Sequence, residues 1–231
     1  MKPVNNAVRE NVRLQAGHVA LEGELELPAG AAAVVLFAHG SGSSRHSVRN
    51  QSVAAALRGA GLGTLLFDLL SATEEEIDAR TMRLRFDIAL LAERLVCAVD
   101  FIANHAKARG LPIGLFGAST GAAAALVAAA QRPDRVGAVV SRGGRPDLAG
   151  DALPAVTAPT LLIVGGNDQE VLALNRQAQE ALCCENKLEI VPGASHLFEE
   201  PGALNEVARL AGDWFLQKLA SSRVSATPTN E

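Results

Sequence analysis

Between residues 12 and 28 apolar and polar positions alternate, with Leu21, Leu25 and Leu27 set among Glu22, Glu24 and Glu26. Successive side chains of a strand face opposite ways, so this pattern predicts an antiparallel hairpin with one wet face. Past Pro28 the pattern changes. Residues 34–38, 64–67, 113–116, 136–140, 161–164 and 188–191 are short apolar runs with no polar side. Such strands are buried on both faces, which predicts a parallel sheet covered by helices.

Parallel neighbours need crossover connections, and helical periodicity fills the intervals. Residues 51–60 are rich in Ala and Leu and stop at Gly61. Residues 81–109 carry Leu84, Ile88, Leu91, Leu95, Val99 and Ile102 at steps of three or four, which reads as one long helix with Arg85, Glu93 and Arg94 off its apolar face. An alanine-rich helix follows Ser119 as far as Gln131, and two more are expected over 170–182 and 202–219. The interval 141–160 reads as a loop. The expected architecture is therefore an α/β fold with a doubly wound, mostly parallel sheet of about eight strands, an N-terminal antiparallel hairpin and no large cap domain. One domain spans 9–220, and 221–231 is a polar tail.

Sheets of this kind bind ligands at the carboxyl ends of their strands. Four stretches stand at those ends. The run 34–38 leads into His39, Gly40, Ser41, Gly42, Ser43 and Ser44, small residues whose amides can approach a ligand. After 113–116 come Gly117, Ala118, Ser119, Thr120 and Gly121, the G-x-S-x-G pattern that lifts a serine out of a sheet on a sharp strand-to-helix turn. Asp168 follows Gly165, Gly166 and Asn167, and His196 follows Gly193, Ala194 and Ser195. A free serine hydroxyl is a poor nucleophile and needs a base whose pKa lies near neutrality, which makes His196 the partner of Ser119. Asp168 would orient the imidazole, although Asp is also favoured as a helix N-cap; Asp147 and Asp68 are its rivals. The Thr120 amide and that of Ser41, with Gly42 next, are the candidate oxyanion donors.

The order Ser, Asp, His and the motifs H-G-x-G (His39–Gly42), G-x-S-x-G, G-x-x-D-x-x-V (Gly165, Asp168, Val171) and G-x-x-H (Gly193, His196) resemble those of the α/β-hydrolase superfamily. Within it the chain is similar to dienelactone-hydrolase-like serine esterases over roughly residues 12–219. Dienelactone hydrolases proper place cysteine where this chain has Ser119, so the resemblance implies serine-hydrolase chemistry rather than one substrate. It implies a cofactor-independent carboxylic-ester hydrolase acting on a small ester, lactone or thioester through an acyl-enzyme. Acyl transfer to another acceptor, a lyase using the same residues, or a non-catalytic binding protein of this fold are the alternatives. His39 and Arg45, with Arg142 and Arg145 on a further loop at the same edge, are candidates for shaping the site or binding substrate. A local ion pair to Asp147 or Asp151 competes with an anion-binding role for the last two.

Composition narrows the partners. A net charge of −4 gives no basic footprint, and aromatics at 3% with no Tyr leave few stacking surfaces, so nucleic acid is not expected. No N-terminal signal is visible in residues 1–11, and no apolar run approaches the roughly 20 residues of a membrane span, so a soluble cytoplasmic protein is expected. Three cysteines, Cys97, Cys183 and Cys184, lack metal-ligand spacing and read as reduced thiols, with no metal or other cofactor called for. The chain is expected to act as a monomer or homodimer.

Overall fold

The structure is a computed structural model and describes residues 6–221. Strands β1 (Val8–Ala16) and β2 (Val19–Leu27) pair antiparallel along their whole length. The sheet continues with β3 (Val34–Ala38), β4 (Gly63–Phe67), β5 (Ile113–Ala118), β6 (Val136–Arg142), β7 (Thr160–Gly165) and β8 (Asn186–Val191), in the order β1-β2-β4-β3-β5-β6-β7-β8. β2 meets β4 antiparallel, and every later pair is parallel. From β3 the chain first steps outward to β4 and then returns past β3 to β5. This reversal opens a crevice at the carboxyl ends of β3 and β5, where doubly wound sheets hold their ligands.

Helices cover both faces of β3 to β7, which leave almost no face to water. The run expected to be buried at 188–191 is instead half exposed: β8 is an edge strand with Ile190 exposed and Glu189 half-buried. One layer contains α3 (Ile88–Asn104) and α4 (Thr120–Gln131), packed on Leu36, Leu65, Leu115 and Val139. The other contains α1 (Val48–Gly59) and α6 (Ala203–Ser221), packed on Val35, Phe37, Phe116 and Val140. The alanines of α4 are buried from Ala122 to Ala125, so the helix axis lies close to the sheet. Helix α5 (Gln169–Ala181) follows β7. The tail expected at 221–231 lies, apart from its first residue, outside the described residues.

Three local readings are corrected. The long helix expected over 81–109 is shorter at both ends: α2 (Ala72–Thr81), not foreseen, ends where it was expected to start, a short 3-10 turn follows at Leu84–Phe86, and α3 covers only Ile88–Asn104. Met82 takes a left-handed conformation that ends α2, and the Asp87 side chain caps α3 by accepting from the Leu90 amide. Arg94 is not on a wet face. It is buried, and it donates to the Ala16 carbonyl at 2.6 Å and to Glu74 at 2.9 Å. The interval read as a loop at 141–160 contains a kinked 3-10 stretch, Pro146–Ala155, that closes over α4 and α5 without forming a large cap.

Candidate active site

Ser119 stands on the turn from β5 to α4 with φ 51° and ψ −121°. A residue with a side chain is strained there by roughly 1–3 kcal/mol. Small neighbours make the turn possible. A Cβ at Gly117 would run into the backbone of Gly121 and Ala122, and one at Gly121 would strike the carbonyl oxygens of Ala38 and His39. The two glycines flanking the serine are therefore steric requirements of this packing. Backbone bonds hold the tip: the Ser119 N–H donates to Arg142 O at 3.3 Å, and its carbonyl accepts from the Arg145 N–H at 3.1 Å. Thr120 is the first residue of α4, where a helix has no earlier carbonyl for the amide to meet. Ser41 and Gly42 lie exposed on the loop after β3, next to Gly40, whose place allows no larger residue without a 3.1 Å approach to Ser119 Cβ.

Asp168 has two partners. One oxygen accepts from the Val171 amide at 3.4 Å and caps α5, while the other lies 2.6 Å from His196 Nδ1. That contact fixes Nδ1 as the proton-bearing nitrogen and leaves Nε2 for a second partner. The loops bearing these two residues are fastened to each other. Asn167 donates through its side chain to Gly193 O at 2.8 Å and through its amide to Ala194 O at 2.9 Å, and Glu200 accepts from the Ser195 amide at 3.0 Å. Gly165 is required here because a Cβ would overlap the carbonyls of Ala194 and Ser195. Gly143, at φ 50°, passes beneath His196, where a Cβ would lie 3.0 Å from its carbonyl oxygen. The segment from Arg142 to Arg145 thus bonds Ser119 on one side and supports His196 on the other. No hydrogen bond joins Ser119 to His196 among the described residues.

The rival acids are engaged elsewhere. Asp68 accepts from the Arg45 amide at 2.8 Å and forms an ion pair with its guanidinium. Asp147 holds Arg145 through two hydrogen bonds of 2.9 and 2.8 Å. Arg142 is different: it is buried, reaches only Asn50 at 3.4 Å, and its Nε and Nη1 have no partner among the described residues. Burial, aided by the nearby Arg49 charge, pushes its pKa down to about 10. His39 is buried beneath the loop after β3. Its Nε2 accepts from the Leu69 amide at 3.0 Å, so Nδ1 carries the proton toward Gly40 O, also at 3.0 Å. Burial lowers its pKa from the ordinary value.

Sequence reasoning did not single out Glu200, nor Asn175, whose side chain donates to Gly144 O at 2.9 Å and so braces the segment beneath His196. Neither sits in a motif, and only contacts between distant loops reveal them. Among the described residues no group of three or more His, Cys, Asp or Glu is placed to hold a metal ion, and no helix is long and apolar enough to cross a membrane.

A serine strained at the end of a central parallel strand, with an Asp–His pair on the two loops beyond, is the arrangement of the α/β hydrolases. Comparison with known proteins carries this further. The chain belongs to the dienelactone hydrolase family, whose model matches residues 21–217. It is 59% identical to a dienelactone hydrolase of Anabaena variabilis of known crystal structure, with a TM-score of 0.91, covering 93% of this chain and 99% of that one. It is also 57% identical over 210 residues to a Mycobacterium tuberculosis protein provisionally named a phosphoribosyl transferase. That match covers 91% of this chain but 46% of the relative, so the chain spans less than half the relative's length. Est1E of Butyrivibrio proteoclasticus shares the fold at 16% identity and a TM-score of 0.76, covering 91% of this chain and 99% of that one. Fold and family together support a hydrolytic function.

Proposed function

We propose that the protein is a serine hydrolase that cleaves a small carboxylic ester, lactone or thioester through an acyl-enzyme on Ser119. The observation that carries this reading is the 2.6 Å contact between Asp168 and His196 Nδ1, on loops fastened together at the same sheet edge as the strained Ser119. His196 Nε2 takes the serine proton as Oγ attacks the carbonyl carbon, and Asp168 stabilises the imidazolium so formed. The carbonyl oxygen becomes an oxyanion held by the amides of Thr120 and Ser41, with Gly42 flanking, each donor lowering the barrier by about 3 kcal/mol. His196 then returns the proton to the leaving oxygen or sulfur. Water, deprotonated by the same imidazole, attacks the acyl carbon and releases the acid and Ser119.

The Arg45 and Arg145 guanidiniums are already matched by Asp68 and Asp147, which weakens their reading as free anion sites. The transferase name of the mycobacterial relative belongs to a chain more than twice the matched length, whereas the hydrolase reading rests on the matched part itself.

Burst kinetics with p-nitrophenyl acetate and butyrate on the native protein and on Ser119→Ala test the proposal. The expected result is a burst or turnover that falls by a factor on the order of 10³ or more in the variant. A native protein that neither hydrolyses these esters nor is labelled by a fluorophosphonate would overturn it.

A further inference from the structure

We propose that strand β8, the free edge of the sheet, is where two copies of this chain join, antiparallel about a twofold axis at Leu188. Among the described residues β8 pairs with β7 alone. Backbone groups alternate in direction along a strand, and two bonds fix the phase here. The Thr160 amide donates to Glu185 O and the Gly166 amide to Val191 O, each at 2.9 Å. With a register that runs without a shift, Lys187, Glu189 and Val191 turn their N–H and C=O groups toward β7. Asn186, Leu188 and Ile190 turn theirs outward, and those backbone groups have no partner among the described residues.

An open row of this kind is a template for another strand, and folded proteins guard it with charge, proline or a bulge. β8 contains neither proline nor bulge, and Ile190 is exposed. Its charges are Lys187 and Glu189, which stand two apart on one face and pair with each other at 2.5 Å. Their signs are opposite, so they repel many strands but not every one.

A copy of the same strand satisfies them in one register. Two antiparallel copies bond only where outward groups meet outward groups. A twofold axis at Lys187 sets lysine against lysine, and one at Glu189 sets carboxylate against carboxylate. An axis at Leu188 sets each Lys187 against Glu189 of the second copy, at a position where the facing residues exchange no backbone bond and their side chains come closest. It is also the register that engages all three outward residues, with Leu188 facing Leu188 and Asn186 facing Ile190 across the junction. The charge pattern thus selects both the occupant and its register. Joined in this way, the eight strands of each copy form one continuous sheet. Antiparallel joining turns the two sheets end for end, so the carboxyl edges bearing Ser119 and His196 point opposite ways and each site stays open.

Analytical ultracentrifugation of the full chain from about 1 to 200 µM, a range that brackets weak interfaces, should show a reversible monomer–dimer equilibrium. Lys187→Glu leaves only carboxylates facing across the junction and Glu189→Lys only ammonium groups, so each should raise the dissociation constant tenfold or more. The double variant Lys187→Glu/Glu189→Lys exchanges the charges and should return it to within threefold of the native value, which a merely local role of the pair would not do. Ile190→Pro removes an outward N–H and no bond to β7, so it should abolish the dimer while the circular dichroism spectrum stays native. A native protein that is monomeric throughout this range overturns the proposal. So does a dimer equally tight in the native protein, both single reversals and Ile190→Pro, since it then forms through another face. Weakening by the single reversals that the double exchange leaves unrepaired overturns it as well.

Discussion

His39 shows how much one buried imidazole can fix. Its two ring nitrogens link the turn after β3 to the Leu69 amide after β4, and only the neutral ring can do both, since Nε2 must accept. Burial therefore lowers its pKa in the folded protein below the 6.5 of an exposed histidine. The unfolded chain binds that proton more readily, so this stabilisation is complete above about pH 6.5 and is lost as the pH falls through that value toward the lower folded pKa. The melting temperature of the native protein should decline between pH 7 and 5.5, and His39→Gln, which can accept but does not titrate, should show a flatter profile over the same window. At Asp168 two jobs separate by substitution. Asp168→Asn keeps the cap on α5 but removes the charge beside His196, so on the proposed mechanism kcat with p-nitrophenyl acetate should drop on the order of 10³- to 10⁴-fold with little loss of stability. Asp168→Ala should lose activity to a similar degree and about 1 kcal/mol of unfolding free energy besides, read from urea denaturation.

Among the elements, the buried strands and the carboxyl-edge motifs were legible in the sequence because each announces itself locally. A run such as Val34 to Ala38 is apolar on both faces and is followed at once by small residues, and the observed strand has those bounds. The α2 helix was missed for a physical reason: with three consecutive glutamates and only Asp78 buried, it has no apolar stripe. Its signal was of another kind, the reciprocal cap in which Ser71 accepts from the Glu74 amide and Glu74 accepts from that of Ser71. The break between α2 and α3 was hidden because Leu84 and Ile88 carry the apolar spacing straight across it, while the residue that ends α2 in a left-handed conformation is Met82 rather than glycine. Arg94 was misjudged because periodicity assigns a face, not a partner, and its partners come from β1 and the start of α2. The Asp168 to His196 contact is likewise invisible to spacing along the chain. Loop order suggested it, but the side chains of Asn167 and Glu200 that secure it belong to no pattern.

For the molecule as a whole, the sheet divides the core in two, and α6 supplies much of the second half. Phe215 is fully buried there, against Gly114 of the central strand β5, where a Cβ would approach its ring to 2.6 Å. Phe215→Ala should therefore lower the unfolding free energy by about 3–5 kcal/mol, measured from the urea midpoint at constant slope. Such a margin matters because a domain is stable by only about 5–15 kcal/mol in all, and part of that is spent holding Ser119 in its left-handed turn. Glycine would occupy the same backbone position without strain. Serine-to-glycine substitution would relieve that strain, and if Ser119 is the nucleophile proposed above it would also remove the reaction. On the proposed role of Ser119 as nucleophile, the strain of this turn is retained for its chemistry rather than for the fold.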